Sequence, residues 1–321
     1  NKSSAERFLF TCYSFVPEHG KIGTDPGMDV GDEVWYYSDN SADYSNKTTF
    51  WIAKGMQNSN EPLVDYWNGT QWGKAMFVGI RDCNVFIENI EKVPDLSAYD
   101  KETWKAEAKV LKAFYHFWMM RMYGPIPIIK ENIPVSAGED EVRVVRDKID
   151  DIVTYIVSLI DESVEYLPLN IQNEAAEMGR ITRPAAKAIK AKILAFAASP
   201  FFNGNLDYAN FKNAEGEPFF NQVYDNEKWT KAADACLEAI QCAEEAGHGL
   251  YEFVNMSSTQ LSDETILSLS NRCKVTERWN KELVWGCGQS GIRDLQVLCQ
   301  PWLESNYSSD DRYHNARNGT F

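Results

Sequence analysis

The stretch GRITRPAAKAIKAKILAFAASPFFNGN, residues 179–204 followed by Asn205, decides the fold. Thr182 suits an N-cap, and Pro184 falls in the first helical turn, where its missing N–H costs little. The helix is expected to run to about Ser199, where Ser-Pro stops it. Ala185, Ala186, Ala188, Ala191, Ala195, Ala197 and Ala198 cover much of its circumference. Side chains this small let neighbours approach on more than one side, so the spacing predicts a central helix among helices.

Working outward, Trp104, Ala108, Leu111, Tyr115, Trp118 and Met122 recur at steps of four and three and draw one apolar stripe down a long helix. Asp100 is its expected N-cap, and YGPIPII stops it near Tyr123, because Gly124 takes up a cap conformation and two prolines withhold donors. Ile149, Ile152, Val153, Ile156, Ile160, Val164 and Leu167 make a second stripe before Pro168, which suggests an antiparallel helical hairpin. WGKAMFVGIRDCNVFIENIEKVP reads as a helix with a mostly apolar side, residues 2–16 as another, and NEKWTKAADACLEAIQCAEEAG as one capped by Asn226 and ended by Gly247. GNLDYANFKNAEGEPFFNQVYDN should be a surface excursion. Residues 18–70 and 250–321 are loop-rich, with short strand-like runs TILSLS and ELVWGC. The expectation is a mainly α chain: a single domain over residues 1–321, with a solenoid-like scaffold of helical hairpins over about 72–250, long irregular segments and a few short strands.

At 321 residues and 44% apolar composition, the chain can bury a sizeable core. Its net charge of −15, with no compensating basic run, opposes the counterion release that drives nucleic-acid binding, so nucleic acid is excluded as a partner. The seven cysteines form no C-x-x-C pair, and their spacing leaves the redox compartment open. No apolar run reaches the length of a membrane span, and NKSSAERFLF is not a signal peptide. Either the protein is cytosolic or a targeting segment has been removed.

Motifs for catalysis or metal are weak. GTQWGKA has the wrong spacing for a phosphate loop and Ala75 where a magnesium-holding hydroxyl belongs. EAGH supplies one Glu-x-x-His where a diiron bundle needs two, GCGQSGI misses the nucleophile-elbow spacing, and His19, His116, His248 and His314 are scattered. His116, inside the long helix, reads as structural. DPGMDVGDE gathers oxygen ligands that could hold calcium but lacks the twelve-residue spacing, and reads better as a solvated acidic loop. No catalytic residue, metal or cofactor is assigned. What stands out is aromatic residues in the loop-rich segments. A pyranose presents a C–H face that lies on an aromatic ring, and its rim hydroxyls need amide, carboxylate or guanidinium partners. Trp35, Trp51, Trp67, Trp279 and Trp302 are therefore the aromatic candidates for a sugar platform, with Asp65, Asn68 and Arg293 as hydroxyl partners.

EAKVLKAFYHFWMMRMYGPIPII and GRITRPAAKAIKAKILAFAASPFFNG resemble the two most recognisable segments of the SusD/RagB family of surface glycan-binding lipoproteins. GIRDCNVFIENI resembles the helix before them and IVSLIDESVEYLP the one between, so the likeness spans roughly residues 72–204 in the family's order and extends to about 250 through WTKAADACLEAI. Lys112 stands where arginine is common, Met119-Met120 replaces an aliphatic pair, and residues 1–60 and 255–321 match loosely. The resemblance implies a mostly helical fold with tetratricopeptide-like pairs and a longer, secreted precursor. It further implies an N-terminal lipid anchor and a further C-terminal part, both absent from this chain, and a place at the outer-membrane surface of a Gram-negative cell. There it would pass oligosaccharide or polysaccharide to a SusC-like TonB-dependent transporter without catalysis. The alternatives kept open are a tetratricopeptide-type peptide adaptor and an α/α-barrel glycoside hydrolase, the latter requiring a pair of carboxylates across the sugar.

Overall fold

The computed structural model describes residues 1–18, 25–31, 51–71 and 73–287. The chain divides into two compact units: Asn1–Val16 with Ala75–Gly288, and Pro17–Lys74 with Gln289–Phe321. The first unit contains the expected scaffold of about residues 72–250 and extends it on both sides.

That unit is a row of helices, each packed on its sequence neighbour: α1 (Lys2–Tyr13), α2 (Met76–Asn89), α3 (Ala98–Tyr123), α4 (Ile149–Asp161), α5 (Arg183–Ala198) and α6 (Glu227–Glu245). A further helix, α7 (Asp263–Thr276), follows. Single-turn helices over Glu139–Val142 and Glu174–Glu177 decorate its connections, and one over Pro26–Asp29 belongs to the second unit. The contact of α3 with α4 fits the hairpin that the two stripes suggest. Thr182 caps α5 by accepting from the Ala185 N–H, and eight of the residues of α5, most of them alanine or isoleucine, are buried. It lies against α4 on one side and α6 on another, the central position expected of a helix this bare.

The long helix departs from its expected single stripe. Between Thr103 and Met120 every residue except Lys105 and Lys109 is buried, including Glu107, Lys112 and His116. A helix buried all round must satisfy each polar side chain internally. Its N-cap is Ser97, whose hydroxyl accepts from the Asp100 N–H at 3.0 Å. Asp100 instead occupies the first turn, where a carboxylate suits the helix dipole and meets Lys2 Nζ at 3.2 Å. Gly124 ends the helix at φ 70°, beside Phe220.

Three other expectations change. The second stripe is α-helical only to Asp161; Val164 and Leu167 stay buried through a 3-10 turn over Val164–Tyr166. Asn226 has helical backbone angles and makes no side-chain cap; the Asp225 carboxylate accepts from the Glu227 N–H instead. TILSLS lies inside α7, because Ser262 caps it and Asp263 and Glu264 charge its first turn favourably. Six alternating residues cannot overrule a helix start with both a cap and a charged first turn. ELVWGC is turn and irregular backbone, and the described residues contain isolated bridges but no strand. The expected excursion after α5 has a small aromatic core, in which Phe220 stacks on Tyr208 at 4.8 Å and on Phe202 at 5.9 Å. Asn203 closes its base by exchanging two 2.8 Å hydrogen bonds with the Asp225 backbone.

Candidate functional site

In the second unit, the candidate residues centre on LVDYWNGTQWG, residues 63–73. Asp65 is 3% exposed and receives four donors: the Trp67 and Asn68 N–H groups, the Asn68 amide and the Thr70 hydroxyl, all at 2.9–3.0 Å. Burial raises the Asp65 carboxyl pKa, but these hydrogen bonds outweigh it and hold the group below the usual carboxylate range. The spacing Asp-x-x-Asn-x-Thr thus makes a self-stapled turn, closed by a backbone bridge between Asp65 and Thr70. Gly73 completes it: a Cβ there would lie 2.0 Å from the Asp65 carbonyl oxygen, so no other residue fits without moving the turn.

The turn determines what its side chains can offer. With four donors, the Asp65 carboxylate has no lone pair left over, and a sugar hydroxyl would have to displace one of them. Asn68 gives its Nδ2 to the same carboxylate. Tyr66 and Val64 are buried and anchor the turn, while Trp67, next to Tyr66, is half-buried. Trp51 is 39% exposed, with Lys54 Nζ 4.9 Å from its ring centroid. The two segments are tied together, because the Gln57 side chain accepts from the Leu63 N–H at 2.7 Å. Asp65, Trp67 and Asn68 are therefore brought into one turn, with Trp51 on the segment joined to it. Lys54 was missed by sequence reasoning, although its three-residue offset from Trp51 was a signal for a cation over the ring.

Trp279 belongs to the first unit. It is half-buried at φ 53°, a left-handed conformation unusual for an aromatic residue, and its ring edge approaches Gly179. Nearby, Trp285 donates its indole N–H to the Gly179 carbonyl at 3.0 Å and meets Phe114 edge-on. Trp35, Arg293 and Trp302 lie outside the described residues.

The buried ionisable groups of the scaffold are committed to one another or to the backbone. Arg180 grips Glu107 with two hydrogen bonds, at 2.5 and 3.1 Å; the Tyr13 hydroxyl donates to the same carboxylate and accepts from the Ile181 N–H. Glu107 is 1% exposed, and burial pushes its carboxyl pKa up although Arg180 lowers it. The cluster joins α1, α3 and the approach to α5. His116 accepts from the Ile129 N–H at Nε2 and faces the Lys112 carbonyl at Nδ1, so the ring is neutral with its proton on Nδ1. Burial drives its pKa down to about 4. Lys112 reaches the Lys130 carbonyl, and burial lowers its pKa to about 8. His116 is structural, as expected.

Among the described residues no cluster of three or more His, Cys, Asp or Glu side chains could hold a metal. In the acidic loop, Asp25 is buried and accepts from the Gly27 N–H as the cap of a single turn. His248 Nδ1 lies against the Lys281 carbonyl just beyond the end of α6. No described helix is long and apolar enough to cross a membrane.

Comparison with known proteins sets this geometry in context. Residues 22–194 match the family model SusD-like, described as "Starch-binding associating with outer membrane". A SusD-like protein of Bacteroides ovatus is 31% identical over 99 residues, 31% of this chain and 16% of that protein. The solved structure BT4246 is 29% identical, superposes with a TM-score of 0.71, and is matched over 90% of this chain and 50% of its own. A laminarin-binding SusD-like protein shares the fold at 18% identity and a TM-score of 0.55, over 88% of this chain and 50% of its own. This chain thus spans about half the length of these solved relatives.

Proposed function

The chain belongs to the SusD-like family, and from that premise we propose that it binds oligosaccharide or polysaccharide at the outer cell surface without catalysis. It delivers the glycan to a SusC-like TonB-dependent transporter and is held at the outer membrane by an N-terminal lipid anchor. The observation that carries this is the stapled turn of residues 63–73. Asp65 and Asn68 hold the backbone, so the turn is rigid before any ligand arrives, and Trp67 stands beside the buried Tyr66 with part of its ring accessible. A preformed aromatic platform loses little entropy when a sugar lies on it. Trp51 extends that platform, and its neighbour Lys54 supplies a donor for rim hydroxyls. Trp35, Trp279, Arg293 and Trp302 are the further contacts proposed for the ligand. Asp65 acts by holding Trp67 and Asn68 in place.

The test is retardation of the intact mature protein in native gels containing polysaccharide, with product analysis on the same mixtures. Starch and laminarin, named for the family and for one solved relative, open the panel. Retardation by one glycan class without new reducing ends is the expected result. Cleavage, or indifference to every glycan of a broad panel, overturns the proposal.

A further inference from the structure

We propose a second glycan subsite on the helical unit itself, in the cleft between the start of α3 and the segment that joins α4 to α5. It rests on the glycan-binding function proposed above and is built from different residues. A cavity of about 340 Å³ lies here, walled by Tyr99, Glu102, Thr103, Glu165, Tyr166 and Arg183. A second hollow of about 200 Å³ shares Tyr99, Thr103 and Pro168 with it and continues past Asn170 and Gln172. The first hollow alone falls within the ~300–1,000 Å³ usual for small-ligand sites.

The cleft has fixed walls. Thr103 donates to the Tyr166 carbonyl at 3.1 Å, which fastens the 3-10 turn to α3. Arg183 donates to the Val164, Glu165 and Leu167 carbonyls at 3.1–3.4 Å, and Leu167 and Val164 plug the turn into the core. Tyr99 lies one helical turn before Thr103 on the same face. Two phenol rings therefore flank one groove on rigid supports, 68% and 50% exposed, and neither hydroxyl has a hydrogen-bond partner among the described residues. Packing does not account for such exposure of both rings on the rim of one hollow.

The lining selects the chemistry of the ligand. Phenol faces suit the C–H faces of pyranose rings, and the Glu165 carboxylate with the Asn170 and Gln172 amides offers both acceptors and donors for hydroxyls. The charge of Arg183 is directed into backbone carbonyls, while Glu102 and Glu165 stay on the wall, so an anionic ligand meets repulsion. The ligand is a neutral oligosaccharide.

The intact protein is labelled with 3-fluorotyrosine, and the Tyr99 and Tyr166 signals are assigned by Tyr99→Phe and Tyr166→Phe. Titration with maltohexaose, laminarihexaose and an oligogalacturonate of similar length should shift both signals saturably with at least one neutral sugar and with neither on the acidic one. The double variant Tyr99→Ala/Tyr166→Ala should lose ~10-fold or more in affinity at this site, with an unchanged melting temperature because both rings are exposed. Polysaccharide retardation with both signals motionless, or a response to the oligogalacturonate alone, overturns the cleft and leaves the proposed function standing. Absence of binding to any glycan overturns both.

Discussion

The middle of α3 and the turn of residues 63–73 both rely on polar side chains that the fold itself uses, and they differ in what remains for a ligand. In α3, Glu107, Lys112 and His116 are buried, each with internal partners, and the surrounding rings are buried with them. In the turn, Asp65 is equally committed, yet Trp67 and Trp51 keep part of their rings accessible. The charged side chains of both regions are thus spent on the fold, and the part-exposed aromatic residues of the proposed site are what the second region leaves for a ligand. Variants at six positions, one of them followed across pH, test that contrast.

The largest effect is expected from Arg180→Met, which leaves the Glu107 carboxylate buried without its partner. Urea denaturation should show a loss of about 3–5 kcal/mol, and a loss under 1 kcal/mol would remove Glu107 and Arg180 from the structural side of the contrast. Next is His116. A neutral buried imidazole takes up no proton until pH falls to about 4, whereas the unfolded side chain does so near its ordinary 6.5. The stability His116 contributes is complete above pH 6.5 and is lost as pH falls toward 4, a change of about 3 kcal/mol at most. Urea midpoints between pH 7.5 and 4.5 should therefore fall more steeply for the wild type than for His116→Asn, and equal slopes would contradict the buried neutral ring.

Asp65→Ala should unfasten the turn and cost about 1–3 kcal/mol locally. Limited proteolysis within residues 51–74 should accelerate and glycan retardation should disappear, while the first unit melts as before; retained binding would separate Trp67 from the site. Trp279 sharpens the comparison through backbone strain. Trp279→Gly should be more stable than Trp279→Ala by about 1 kcal/mol, because glycine tolerates φ 53° and alanine does not. Trp51→Ala combined with Trp67→Ala should cost in total about 1 kcal/mol or less, because neither ring is fully buried, yet abolish polysaccharide retention. If stability and binding fall together, these rings belong with the scaffold.

Much of the scaffold was legible. The caps at Thr182 and Gly124, the isoleucine stripe ahead of Pro168 and the alanines of α5 are local patterns with local consequences. The misplaced start at Asp100, and the capping bond that Asp225 rather than Asn226 makes, came from choosing among neighbouring polar residues that can all cap. The turn at Asp65 was also readable from its Asp-x-x-Asn-x-Thr spacing, but composition beside aromatics suggested sugar contacts before turn chemistry. Tyr99 and Tyr166 were overlooked because they sit at helix ends, outside the loop-rich segments.

The sequence by itself determined that this protein is a row of helices with SusD-like character, because helix periodicity, caps and proline stops act over a few residues. Only the tertiary structure decided which polar residues are buried and which rings stay accessible. Glu107 meets Arg180 across 73 residues and Tyr13 across 94. The cleft at Tyr99 exists because Thr103 captures a carbonyl 63 residues away. Burial and pairing at such separations depend on how helices stack, and no local pattern encodes that.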